Sequence, residues 1–170
     1  LRLQATLDEA ARTRLGLNLG GALSGAIPIK LSGRVSGDDR EGRFNVEADL
    51  SATRIDNLLP GWIKPPGRPA RVSFALARDK SVTRFEDMVV DGAGVLARGS
   101  IELDGNGELL AANFPVFATS DGDKASLKVD RSADGALRVA LRGDVFDGRN
   151  IARSIDRKST RLNSSHVALS

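Results

Sequence analysis

A chain of 170 residues with 41% hydrophobic but only 4% aromatic content suits one domain whose core leans on Ala, Val and Leu. It has no cysteine and no tyrosine, which excludes disulfide staples, thiolate nucleophiles and cysteine-ligated metals. The net charge of +3 carries the pI to about 9.7 because, without those residues, almost nothing titrates between the carboxylates and the lysines. No apolar run is long enough to span a membrane, and the start at Leu1 leads us to expect a fragment whose export signal or anchor lies outside it.

In chain order, residues 1–7 alternate apolar and polar side chains as a half-buried strand does. Asp8 offers an N-cap to a short helix over 9–15, acidic first and basic last, which Gly16 stops. A strand over 27–35, a polar turn over 37–42 and a strictly alternating return over 44–50 make a hairpin. Residues 55–69 then interrupt the pattern with four of the six prolines and the single tryptophan. Proline fixes φ, removes a donor and pushes its predecessor out of the helical region, so 64–69 cannot belong to a central strand. Trp62, with Leu58, Leu59 and Ile63 around it, is expected to pin this crossing onto the sheet.

Alternation resumes over 72–76 and continues in strands over 85–90, 95–103, 109–117, 125–130 and 137–145. The turns at 103–109 and 129–137 both end in Asn/Asp-Gly-x-Leu, which supplies the positive-φ positions of hairpins. The expected fold is therefore mostly β: a curled antiparallel meandering sheet with one or two short helices, one face apolar and the other charged. One short helix cannot cover a sheet of that width, so the sheet closes as a barrel, folds as a sandwich, or curls into an open groove.

Candidate chemistry is sparse. Gly92-Ala93-Gly94-Val95-Leu96-Ala97 matches a dinucleotide fingerprint in form, but strand-like alternation runs on where a helix is needed, so the glycines are read as a bend or bulge. Asp38-Asp39 and Asp121-Gly122-Asp123 are read as turn chemistry rather than a calcium loop. No nucleophile-base pair stands out, and the expectation is no enzyme, no metal and no cofactor. The C-terminal run from Asp156 to His166 resembles the in-frame translation of a common sequencing-library adapter, so 156–170 is expected to be a non-native, disordered tail after a native segment over 1–155. Without it the balance is 22 basic to 21 acidic residues and no histidine remains, which weakens any nucleic-acid reading.

Residues 48–70 (ADLSATRIDNLLPGWIKPPGRPA), 84–87 (RFED), 112–117 (ANFPVF) and 120–125 (SDGDKA) resemble an internal region of the large AsmA-like envelope proteins of alphaproteobacteria, the YhdP-like branch. The resemblance covers roughly residues 1–155. It implies a segment of a long periplasmic β-sheet with a hydrophobic groove, tethered to the inner membrane by an anchor elsewhere in the full-length protein. It further implies phospholipid transport toward the outer membrane, with phospholipid acyl chains and the flanking segments of the same protein as partners. On that reading the groove-lining side chains are Val72, Phe74, Leu76, Val95, Ile101, Leu103, Leu127, Val129, Leu137, Val139 and Leu141, with strand register uncertain by one residue. The competing expectation is a closed β-sandwich, a structural or protein-interaction module of the envelope.

Overall fold

The computed structural model describes residues 1–15, 17, 19–35, 42–59, 61–79, 81–120, 122–145 and 166–169. Among them the elements are β1 (Arg2–Leu7), α1 (Glu9–Arg14), a 3-10 turn (Gly20–Ala22), β2 (Leu23–Ser24), β3 (Ile27–Val35), β4 (Gly42–Asp49), β5 (Arg54–Asp56) and β6 (Ile63–Lys64). They continue as β7 (Ala70–Asp79), β8 (Val82–Gly92), β9 (Val95–Leu103), β10 (Leu109–Ala118), β11 (Lys124–Arg131), β12 (Leu137–Val145) and β13 (His166–Leu169). One large sheet runs β1-β3-β4-β7-β8-β9-β10-β11-β12-β13, antiparallel except for the last pair, and β2-β5-β6 form a small second sheet. The large sheet is open, with β1 and β13 at its edges. A sheet this wide twists and curls, and the apolar face lies on its inside.

The helix follows its signals: the Asp8 carboxylate accepts from the Ala11 N–H at 2.7 Å, with Glu9 in the first turn and Arg12 and Arg14 in the last. The expected hairpin turns also form, with Gly107 and Gly135 at positive φ and the Asp104 carboxylate accepting from the Asn106 and Glu108 N–H groups. The Gly92-Ala93-Gly94 run is a correction: it is not a bend within a strand but the tight turn joining β8 to β9, with Ala93 and Gly94 both at positive φ. Two adjacent positive-φ residues match the right-handed twist of a hairpin, so a two-residue reversal fits where a bend was expected.

The turn over 37–42 and residues 38, 39 and 121 fall outside the described residues, apart from Gly42, which begins β4. Most of the tail expected to be disordered does as well. His166–Leu169 is a second correction, since it pairs parallel to Arg138–Leu141 of β12. The outer edge of β12 presents unpaired backbone groups, and a short extendable Val-Ala-Leu run supplies a strand for them.

Strand register gives the apolar face its continuity. One row of directly paired residues runs Ala5, Ile29, Ala48, Val72, Val90, Ala97, Phe117 across seven strands. A second runs Phe44, Leu76, Phe85, Ile101, Ala112, Val129, Val139, also across seven. Two bulges keep these rows intact. In β8 the register slips between Phe85 and Met88, with Asp87 at φ 50°, so residues of opposite parity, Phe85 and Met88, both face inward. In β10 it slips between Asn113 and Val116, placing Phe114 and Phe117 together on the inner face, edge to face at 6.4 Å. Pro115 sits within that slip, where a missing N–H is tolerated.

The two ends of the sheet differ. Four reversals, after β3, β7, β9 and β11, lie at one end; α1, the 3-10 turn, the small sheet and the proline crossing lie at the other. At that second end the crossing plugs the core: Trp62 is 2% exposed and joins Leu23, Leu50 and Ile55 in one continuous cluster with the sheet. Gly99, opposite the β10 bulge, allows the close approach there, because a Cβ on it would collide with the Asn113 carbonyl oxygen and lie 2.7 Å from Phe114 Cα. Gly99→Ala is expected to cost about 3 kcal/mol in urea denaturation through this overpacking, with amide exchange rising first along the β9–β10 ladder.

Candidate functional site: the apolar face and its plug

All eleven residues expected to line a groove fall on the inner face of the large sheet, and the register ties them together. Leu76, Ile101, Val129 and Val139 share one row, Leu127 stands opposite Leu141, and Leu103 stands opposite Leu109. Their burial divides them. Val95, Leu127, Val129 and Leu141 belong to the buried core, whereas Val72, Phe74, Leu76, Ile101, Leu103, Leu137 and Val139 are half-buried. Apart from Val72, the half-buried set gathers toward the hairpin end, on whose side of the sheet Phe74 and Phe85 meet edge to face at 5.2 Å. That end carries most of the expected lining that is still partly exposed.

The expectation took no residue from β8 or β10, yet these strands supply Phe85, Met88, Val90, Phe114 and Phe117 to the same face. Bulges break strict alternation, so parity alone could not assign them. Asp87 and Pro115, two poor strand formers in the middle of strands, are the signal that could have marked both.

The outer face is solvated and its charges are matched across strands. Lys30 stands opposite Glu47, Arg71 between Asp49 and Asp91, Arg84 opposite Glu102, and Arg138 opposite Asp130. Direct ion pairs on it include Arg84–Glu102 at 3.2 Å and Lys128–Asp130 at 3.5 Å. Such pairs set register more than stability. A shallow concavity of about 650 Å³ lies over β1, β3, β4 and β7, lined by polar residues such as Lys30, Glu47 and Arg71 and by Ala5, Ile29, Ala48 and Val72 of the first apolar row. Lys30 and Arg71 there stand opposite Glu47 and Asp49 on neighbouring strands. Among the described residues no group of three or more His, Asp or Glu could hold a metal, and Asp123 accepts from the Thr119 and Ser120 N–H groups as a turn residue does.

The plug contains two buried cations that sequence reasoning did not single out. Lys64 is fully buried and its Nζ donates to the carbonyls of Thr53 at 2.7 Å, Pro65 at 3.1 Å and Ser51 at 3.2 Å. Those three bonds use every ammonium proton. Arg12, 4% exposed, donates to the carbonyls of Gly25 at 2.7 Å and Leu7 at 3.2 Å. Each cation thus ties loop backbone to the sheet end in place of regular pairing. The Trp62 indole N–H has no partner among the described residues, so the ring is held by packing.

No family model, no curated protein and no solved structure matches this chain.

Ionisation follows from these contacts. Burial, the dominant cause, holds the Lys64 ammonium below its ordinary 10.5, with Asp49 opposing and Arg68 reinforcing. The side-chain hydrogen bond from Ser51 holds Asp49 below its ordinary 3.8, and that from Ser132 does the same for Asp134. A carboxylate with a depressed folded pKa stabilises fully above the unfolded value and loses that contribution as pH falls through the folded one. Acid titration of the unfolding free energy is therefore expected to show stability falling below pH 3.8, with a shallower fall in Asp49→Asn. For Lys64 the sign reverses: the unfolded chain binds the proton more tightly, so stability rises with pH from the lowered folded pKa up to 10.5. Lys64→Met is expected to abolish that alkaline rise and, by leaving three carbonyls without a donor, to cost about 3 kcal/mol at neutral pH in chemical denaturation.

Proposed function

We propose that this chain is a section of an apolar β-groove along which phospholipid acyl chains lie, in the service of transport between the inner and outer membranes of a cell envelope. The observation that carries the reading is the pair of apolar rows, each crossing seven strands at right angles to the strand direction. Six steps of about 4.8 Å make each row a track of about 29 Å. A leaflet's hydrocarbon is about 15 Å deep, half of a bilayer core, so one acyl chain spans three or four strands.

Along such a track the attraction is apolar burial, worth about 25 cal/mol per Å², spread over many Val, Leu, Ile and Phe side chains. A lipid is held strongly enough to leave a membrane, and no single position traps it. Headgroups stay in water beyond the hairpin end, where the lining is half-buried, while Trp62 and the crossing close the other end. The resemblance to AsmA-like envelope proteins supports the same assignment, with a periplasmic location and an anchor outside this segment. No catalytic step is part of it.

A second reading, a structural or protein-interaction module of the envelope, is favoured by one observation. Val95, Leu127, Val129 and Leu141 are all under 10% exposed within a continuous core, as in a domain that binds no ligand on that face.

Native mass spectrometry with lipid extraction, on the full chain expressed in a Gram-negative periplasm, separates the two. Co-purified phospholipid is expected with the wild type and lost from Leu76→Asp/Ile101→Asp, with circular dichroism and thermal midpoint retained. A wild-type protein that is folded and free of lipid sinks the groove and leaves the structural module.

A further inference from the structure

We propose, resting on the groove reading above, that Arg78 and Thr83 form a site for the phosphate of a lipid headgroup at the hairpin end of the apolar face. The site selects phosphate-bearing lipids over lipids with the same acyl chains and no phosphate.

Sheet register places the two side chains. In β7 the inward residues are Ala70, Val72, Phe74 and Leu76, and the same parity carries Arg78 onto the inner face. Arg78 stands directly opposite Gly42 of β4 and Thr83 of β8, and Thr83 stands opposite Leu103 of β9. This row lies two residues, about 7 Å, beyond the one that holds Leu76, Phe85 and Ile101. A group bound there sits at the rim of the half-buried lining.

The sign of the charge points to an anion. Among the described residues of β1, β3, β4 and β7 to β12, the inner-face positions carry two charged side chains, Arg78 and Arg131, and both are basic. They follow Leu76 in β7 and Val129 in β11, at the same end of the sheet. The outer face, in contrast, mixes both signs in cross-strand pairs. Arg131 is committed within the fold, its Nε donating to the Leu109 carbonyl at 2.8 Å and its guanidinium pairing with Glu108 at 2.7 Å. Arg78 is exposed and has no hydrogen-bond or ion-pair partner among the described residues.

The neighbours of Arg78 suit a lipid phosphate. A guanidinium presents a planar fork of donors to two phosphate oxygens. Directly opposed Cβ atoms in an antiparallel pair lie about 5 Å apart, so the half-buried Thr83 brings a hydroxyl donor to the same place. On the other side Gly42 has no side chain to crowd the site, and the Phe44 ring extends over it, where a Cβ would come within 2.7 Å of the ring. Cation and apolar lining thus stand side by side, as the two parts of a phospholipid require.

Lipid retention by the full chain is the test. The protein is mixed with detergent-solubilised dioleoyl phosphatidylglycerol or dioleoylglycerol, passed through gel filtration, and its retained lipid is quantified by mass spectrometry. The wild type is expected to keep the phosphatidylglycerol in clear excess over the diacylglycerol. Arg78→Gln is expected to lower phosphatidylglycerol retention about tenfold, to the diacylglycerol level, as loss of a charge-assisted pair does, with the thermal midpoint unchanged. Arg34→Gln, which removes an exposed arginine from the outer face, should retain both lipids as the wild type does. If neither lipid is retained, the groove reading falls and this site with it. Equal retention of the two lipids, or phosphatidylglycerol retention unchanged in Arg78→Gln, leaves the groove standing and overturns the headgroup site. Inorganic phosphate that binds the wild type but not Arg78→Gln in phosphorus NMR, with no preference between the lipids, would make it a site for free phosphate and also overturn the proposal.

Discussion

Everything in this protein depends on the parity of side chains along a single wide sheet. A one-residue slip in any strand would carry its apolar residues to the charged face, and the described elements outside the sheet are gathered at one end, so they could not compensate. The two bulges are therefore corrections built into the ladder. Asp87 and Pro115 each absorb a residue, so that Phe85 and Met88, and Phe114 and Phe117, reach the same side. Cross-strand charge pairs on the outer face, such as Lys30 with Glu47 and Arg84 with Glu102, hold the same register from the other side.

The proline crossing solves a different problem. Its backbone cannot join a ladder over most of its length, yet it must lie against an apolar sheet end, where unpaired carbonyls are costly. Lys64 and Arg12 supply the donors instead, five hydrogen bonds from two buried cations to loop and strand carbonyls. Long side chains reach carbonyls that no neighbouring strand could, and their apolar stems add to the packing around Trp62. The plug is thus polar in its fastening and apolar in its contact.

The proposed groove draws on one geometric fact. Rows of paired residues run across the strands, so anything that extends the sheet extends the apolar track with it. The half-buried residues at the hairpin end are where that track stays partly exposed.

Much of this was legible in the residues. Alternation located β3, β9 and β12 to the residue and put all eleven expected lining positions on one face, because in a strand the side-chain period of two depends only on local backbone geometry. Asp8 as a cap and the Asn/Asp-Gly turns were readable for the same local reason. Tertiary structure decided the rest. Which lining residues are buried and which half-exposed, as Leu127 differs from Leu76, depends on the plug and the curl of the sheet. The inward positions of β8 and β10 depend on bulges that exist only relative to a partner strand. Lys64 looked like any solvated lysine until the turn carrying the Ser51 and Thr53 carbonyls folded over it, beside the carbonyl of its own neighbour Pro65. Each of these is a property of pairs of segments distant in the chain, and no window of sequence contains both members.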